Sequence, residues 1–196
     1  MWTHPRDTIR QLLGNSPLYV ELLLVGGSGV VQSIIQAMSN QVGTKVPGPT
    51  ILLAVLVVGT LWGLFQLHVV AVPLYFIGRW TGAPASFADL RTALAWAAIP
   101  QVAILPFWIL GTLVFGRFLY IDAARVMTSM PIAALAQGLL SLATLVCVCW
   151  WIVLQVFGLA EAQHVSAWRA LGHLLAAGVM LGVAVLLIVM VFIIRA

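Results

Sequence analysis

The sequence has very little charge. Of its 196 residues only 7% are Asp, Glu, Lys or Arg, whereas 63% are hydrophobic. A soluble domain carries about 25% charged residues, so this chain cannot cover itself with a water-compatible surface. Together with a mean hydropathy of +1.12, this indicates that lipid solvates most of the protein.

The sequence also lacks runs of basic residues and cysteine pairs at useful spacings. The net charge of +4 comes from scattered arginines, which argues against a nucleic-acid partner and favours an orientation signal with contacts to lipid head groups. Cys147 and Cys149 lie two residues apart, which on a helix places them about 200° apart. They are therefore not expected to form a disulfide or share a metal ion.

No catalytic constellation is present. The sequence contains no His-Glu-x-x-His motif, no nucleophile elbow and no paired carboxylates. We expect a protein that is not an enzyme and that has no cofactor.

Five apolar runs are long enough to cross a bilayer, which needs roughly 20 residues. They are continuous rather than alternating, so helices are favoured over strands. We expect an all-α polytopic bundle forming a single membrane domain over residues 1–196, with a short interfacial helix at 1–16 and an uncleaved first span. The predicted spans are 17–38, 50–77, 93–115, 131–159 and 171–194.

Small residues and prolines mark where the spans approach and bend. Glycines at helical spacing let a neighbouring helix come close, and prolines remove a backbone donor and kink or break a helix. The glycines predicted to pack are Gly26, Gly29, Gly59, Gly63, Gly178 and Gly182, and the predicted kinks are at Pro100 and Pro106.

A few polar side chains fall inside the spans: Glu21, Gln66, His68 and His173. An intramembrane ionisable residue suggests a functional site. One hypothesis is a polar path lined by Glu21, Gln66 and His68. Haem ligation between the two histidines is a weaker hypothesis, and a buried imidazole bonded to a hydroxyl or carbonyl is the simpler interpretation.

Five spans place the termini on opposite sides of the membrane. With the N-terminus in the cytoplasm, five Lys and Arg residues lie inside and four outside, and the positive-inside rule then favours this orientation. A cytoplasmic rim of lipid- or partner-binding residues is expected: Arg6, Arg10, Arg79, Asp89, Arg91, Glu161, Trp168 and Arg169. Asp89 with Arg91, Trp168 with Arg169, and Arg6 with Glu161 are the candidate combinations, and Ser86 with Asp89 has the spacing of a helix cap.

Four segments carry a resemblance to a known family: Trp2–Arg10, Gly78–Gly82, Ser86–Pro100 and Glu161–Leu171. Together they resemble the Yip family (Ypt-interacting proteins) in its short bacterial form. The resemblance implies five transmembrane helices, a cytoplasmic N-terminus and, for a bacterial member, the inner membrane. Eukaryotic members engage prenylated small GTPases, but their Asp-Leu-Tyr-Gly-Pro motif and long N-terminal region are not found here. GTPase binding is therefore not expected.

These observations lead to one main hypothesis and one alternative. The main hypothesis is a non-enzymatic membrane scaffold, membrane-organising factor or accessory subunit, whose partners are membrane lipids and another membrane protein or a second copy of itself. The alternative is a small transporter or channel that uses the polar path and the Pro-broken third span.

Overall fold

The computed structural model describes residues 5–83 and 85–195, and the side chains of residues 8–83 and 85–193. All regular secondary structure in these residues is helical, which confirms the predicted all-α class. Two short 3₁₀ helices, Val42–Thr44 and Gly116–Tyr120, follow the α-helices that end at Ser39 and Phe115. The α-helices are α1 Pro5–Leu12, α2 Leu18–Ser39, α3 Gly48–Trp80, α4 Phe87–Ala97, α5 Ile99–Phe115, α6 Ala123–Ser129, α7 Pro131–Ala162 and α8 Ala167–Arg195.

Five helical segments in the described residues are long and apolar enough to cross a membrane, as predicted. They are Leu18–Ser39, Gly48–Trp80, Ile99–Tyr120, Pro131–Ala162 and Ala167–Ile193. The chain is therefore an integral multi-pass membrane protein whose apolar helices contact lipid.

The third span begins later than the sequence suggested. It was predicted to start at residue 93, but α4 ends at Ala97 and α5 begins at Ile99. Pro100 explains the break, because it has no N–H for the Trp96 carbonyl and suits the first turn of a new helix. Pro106, in contrast, lies within α5, which continues to Phe115.

The described residues form two compact units. The first contains residues 5–16, 66–83, 85–96 and 154–195, and the second contains residues 17–65 and 97–153. In the second unit, Trp108 and Tyr120 are fully buried with aliphatic side chains of α2. The indole Nε1 of Trp108 donates to Thr144 Oγ1 at 2.8 Å, and the Tyr120 hydroxyl lies 2.7 Å from Thr112 Oγ1.

Glycines bring α2 and the first part of α3 together inside the second unit. A Cβ built on Gly29 would lie 2.6 Å from the Cα of Gly63, and one built on Gly59 would lie 2.5 Å from the Cα of Val30. Gly26 faces Thr60, whose Cγ2 would be 3.1 Å from an added Cβ. At Gly29 and Gly59 the two backbones touch, which only glycine permits.

In the first unit, α1, the predicted interfacial helix, packs against other helices. Ile9 is fully buried and contacts the α7 backbone at Gly158. The Trp96 indole on α4 donates to Ser16 Oγ at 2.7 Å.

Candidate functional site

The candidate site lies in the first unit, where α3 ends, and begins with a tight helix-ending turn. The amide of Ala83 donates to the Gly78 carbonyl at 2.8 Å, and the amide of Gly82 donates to the Arg79 carbonyl at 3.4 Å. Gly82 has a φ of +70°, which a glycine adopts without strain. This pattern is a Schellman motif, which satisfies the last carbonyls of a helix.

Helix α7 ends in the same way. Val165 donates to the Ala160 carbonyl at 2.9 Å, and His164 donates to the Glu161 carbonyl at 3.3 Å. Here the left-handed position is held by His164, with a φ of +53°, which is uncommon for a residue with a Cβ. Gln163 precedes it, at the position that Thr81 holds at the end of α3.

These two helix-ending side chains meet the same histidine of α8. Gln163 donates from Nε2 to the Leu74 carbonyl at 3.3 Å, so its Oε1 is left as an acceptor, 2.6 Å from His173 Nδ1. The Nδ1 atom must therefore carry the proton, and Nε2 is free to accept from Thr81 Oγ1 at 3.1 Å. The hydroxyl proton of Thr81 is shared with the Ile77 carbonyl, 2.8 Å away.

Arg169 completes the group, which we call the His173 cluster: Thr81, Gln163, Arg169 and His173. The guanidinium of Arg169 donates to the Thr81 carbonyl. Its backbone amide lies 3.4 Å from Ser166 Oγ, which caps the start of α8. Gly78 is needed beside the cluster, because an added Cβ would lie 2.8 Å from Gln163 Nε2.

The cluster joins three helices by hydrogen bonds in which the Arg169 guanidinium is the charged group. His173 is 5% exposed and Gln163 is 2% exposed, so leaving either without partners would cost about 1–3 kcal/mol. Neither ring nitrogen of His173 is left for a metal ion, so haem ligation would require giving up one of these bonds. Among the described residues, no three His, Cys, Asp or Glu side chains form a group that could hold a metal.

An ion pair connects α1 to the end of α7. Arg10 contacts the Glu161 carboxylate with two nitrogens, Nε at 3.2 Å and Nη2 at 2.9 Å. The Glu161 side chain is 11% exposed and that of Arg10 is 69% exposed. Arg6, the predicted partner of Glu161, has its side chain outside the described residues.

The other predicted rim residues occupy helix ends. Asp89 and Ser86 form the predicted cap of α4, with the Asp89 amide 3.0 Å from Ser86 Oγ and the hydroxyl donating to the Asp89 carboxylate at 2.6 Å. Arg79 lies on Tyr75, whose hydroxyl accepts from Nη1 at 3.0 Å. Trp168 is 83% exposed at the start of α8. The remaining predicted rim residue, Arg91, is half-buried on α4.

The intramembrane polar residues fall into different surroundings. Glu21 is fully buried on α2 in the second unit, whereas Gln66 and His68 belong to the first unit. His68 is exposed, with its ring 6.2 Å from that of Phe87, so the expectation of a buried imidazole fits His173, whereas His68 is not buried.

Gly178 and Gly182 face open space. In the part of the chain that the structure describes, no heavy atom of another helix lies within 4 Å of a Cβ built on either residue. Their predicted role in helix packing stays a prediction.

Sequence reasoning singled out His173 and Arg169 but missed Thr81 and Gln163 as their partners. Each is an ordinary polar residue with no motif of its own. The available signal was positional, because each ends a long apolar run shortly before a serine that opens the next helix.

The comparisons with known proteins give one match. The family described as Yip1 domain matches residues 1–190, which include every residue of the His173 cluster. No curated protein and no solved structure matches the chain. Because the match covers nearly the whole sequence, the chain belongs to the Yip1 domain family.

Proposed function

We propose that this protein is a non-enzymatic membrane-organising protein, acting as a scaffold or accessory subunit of a membrane complex. The observation that supports this proposal is that the polar groups of the His173 cluster bond to one another and to helix ends. Both ring nitrogens of His173, and both the nitrogen and the oxygen of the Gln163 side-chain amide, bond to residues of other helices or helix ends. They therefore fasten the helices together instead of facing a substrate.

Helix α8 offers the surface for a partner. Its candidate span is the least buried of the five, and it carries large exposed side chains such as Val179, Phe192 and Ile193. Gly178 and Gly182 lie open on the same helix. Small residues four apart allow close approach of another helix in lipid, and a second membrane protein or a second copy of this chain is the proposed occupant.

The same proposal includes an orientation and a membrane. The N-terminus is placed in the cytoplasm and the protein in a bacterial inner membrane. Arg10, Arg79, Arg91 and Arg169 then lie on the cytoplasmic side, in accordance with the positive-inside rule. A phosphatase fused after residue 196 should be active only if the C-terminus is outside the cytoplasm. An inactive fusion would contradict the proposed orientation.

The interaction is tested by cross-linking in native membranes. In a chain with Cys147 and Cys149 changed to Ser, single cysteines placed at successive positions of α8 report proximity to a neighbour. We expect cross-links with a period of 3.6 residues centred on Gly178 and Gly182, and their loss in Gly178→Leu.

A matched control is Gly138→Leu on α7, where an added Cβ also meets open space in the described residues. This variant should leave the cross-links unchanged. Uniform labelling around α8, with no captured neighbour and no helical period, would show that the helix faces lipid alone. Turnover of any substrate by the purified protein would contradict the non-enzymatic role.

A further inference from the structure

The second unit contains a groove beside α7 that has no part in the site described above. Its volume is about 630 Å³, within the range of small-molecule sites. It is open along α7, where Leu145 is 59% exposed. We call it the α7 groove.

The groove is polar at one end and apolar at the other. Gln41 and Asp122 contribute from the connectors that follow the first and third spans, beside Gln137. Leu145 and Val148 line it further along α7. Val148 lies eleven residues beyond Gln137, which corresponds to about 16 Å along a helix. A molecule that fills this groove has a polar head and an apolar tail.

One acceptor at the polar end has no hydrogen-bond donor. Gln137 is 8% exposed, and its Nε2 donates to the Ile121 carbonyl at 3.1 Å, but its Oε1 has no partner. A buried amide oxygen without a donor is rare in native structures. Gln137 lines the groove, and the final torsion of a glutamine is soft, so its amide can turn to meet a donor bound there.

The charge at this end is negative. Asp122 accepts from the Ala124 amide at 2.8 Å with one carboxylate oxygen, which caps α6, and is otherwise exposed. The Thr144 hydroxyl is already used, because it accepts from Trp108 and donates to the Leu140 carbonyl. Of the described residues that line the groove, none is Lys or Arg.

From these observations we propose that the α7 groove binds a phospholipid with a primary-amine head group. The ammonium, with three donors, lies against the Asp122 carboxylate and the Gln137 amide oxygen, and one acyl chain follows α7 past Trp108 to Val148. An anionic head group without an amine meets the like charge of the Asp122 carboxylate and leaves the Gln137 oxygen unpaired, and is disfavoured.

The test compares two lipids that differ only in head group. The full-length protein in a mild detergent is titrated with an equimolar mixture of dioleoyl phosphatidylethanolamine and dioleoyl phosphatidylglycerol, and bound lipids are counted by native mass spectrometry. We expect about a tenfold preference for the ethanolamine lipid, the order of one charge-assisted hydrogen bond.

Two variants, each paired with a control variant, locate the site. Asp122→Asn retains an N-cap residue but removes the charge, and should abolish the preference; Asp89→Asn, a capping position outside the groove, should not. Leu145→Trp fills the groove and should displace the lipid, whereas Leu139→Trp, on an equally exposed part of α7, should not.

Equal binding of the two lipids, or an unchanged preference in Asp122→Asn, overturns the proposal. Free ethanolamine competing as well as the lipid overturns the role of the acyl chain. Circular dichroism and size-exclusion profiles establish that each variant is folded, and Asp122→Asn decides the question even if Leu145→Trp does not fold.

Discussion

The contact between α2 and α3 allows a prediction in which one chemical change has opposite effects at two positions. The change is Gly→Ala at Gly29 and, separately, at Gly138. Both residues lie inside long helices. At Gly29 the new methyl group meets the Gly63 backbone, with 2.6 Å between Cβ and Cα, whereas at Gly138 it meets open space in the described residues.

The expected magnitude follows from separating two terms. Replacing Gly by Ala inside a helix favours folding by up to about 1 kcal/mol, and this term is common to both variants. At Gly29 the helices must also move apart by roughly 1 Å to restore an ordinary contact, and overpacking of this kind costs about 1–3 kcal/mol. The difference in unfolding free energy between the two variants is therefore about 1–3 kcal/mol, with Gly138→Ala the more stable.

The measurement is unfolding by SDS titration in mixed micelles, followed by far-UV circular dichroism. The two variants are compared with each other and with the wild type under identical detergent conditions. If Gly29→Ala were as stable as Gly138→Ala, the close approach of α2 and α3 at Gly29 would be wrong.

Three other predictions concern the candidate site. His164→Gly removes a Cβ from a left-handed position and should raise the free energy of unfolding by about 1 kcal/mol, whereas Gly82→Ala adds a Cβ at the equivalent position and should lower it by about as much. The melting temperature should move in the same directions, and the same sign for both variants would contradict the equivalence of the two helix ends. His173→Phe leaves the Gln163 amide oxygen without its donor and should cost about 1–3 kcal/mol in SDS unfolding. The cost should be smaller in a Gln163→Leu background, and strict additivity would show that the two residues do not interact. Glu161→Gln should lower stability by at most about 1 kcal/mol, because Arg10 is largely exposed; the loss should disappear in about 1 M NaCl, and a salt-independent loss would contradict the ion pair.

The sequence was sufficient for the features that are local. Each span was recognisable because hydropathy over about 20 residues decides membrane insertion. The caps at Ser86 and the break before Pro100 depend on residues within one turn of a helix. The predicted start of the third span was wrong because one apolar run contains the end of α4 and the beginning of α5. The backbone geometry at Pro100 shows where the first helix stops, and hydropathy does not.

The His173 cluster was not predictable, since its members are brought together by the ends of different helices. Thr81 and His173 lie 92 residues apart and Gln163 and Leu74 lie 89 residues apart. The presence of a threonine or a glutamine in a sequence does not indicate which residue it will bond to. The α7 groove was missed for the same reason, because Gln137 is one of several polar residues in an apolar run and its unpaired oxygen exists only in the folded chain.

The way in which His173 joins two helix ends has a consequence for biosynthesis. Thr81 leaves the ribosome 92 residues before His173, which corresponds to roughly 5 to 18 seconds at ordinary rates of translation. During this interval the end of α3 is complete but has no histidine to bond. Helix α8, which is synthesised after α3 and α7, therefore fastens these earlier helices, and a chain cut short before α8 lacks this bond.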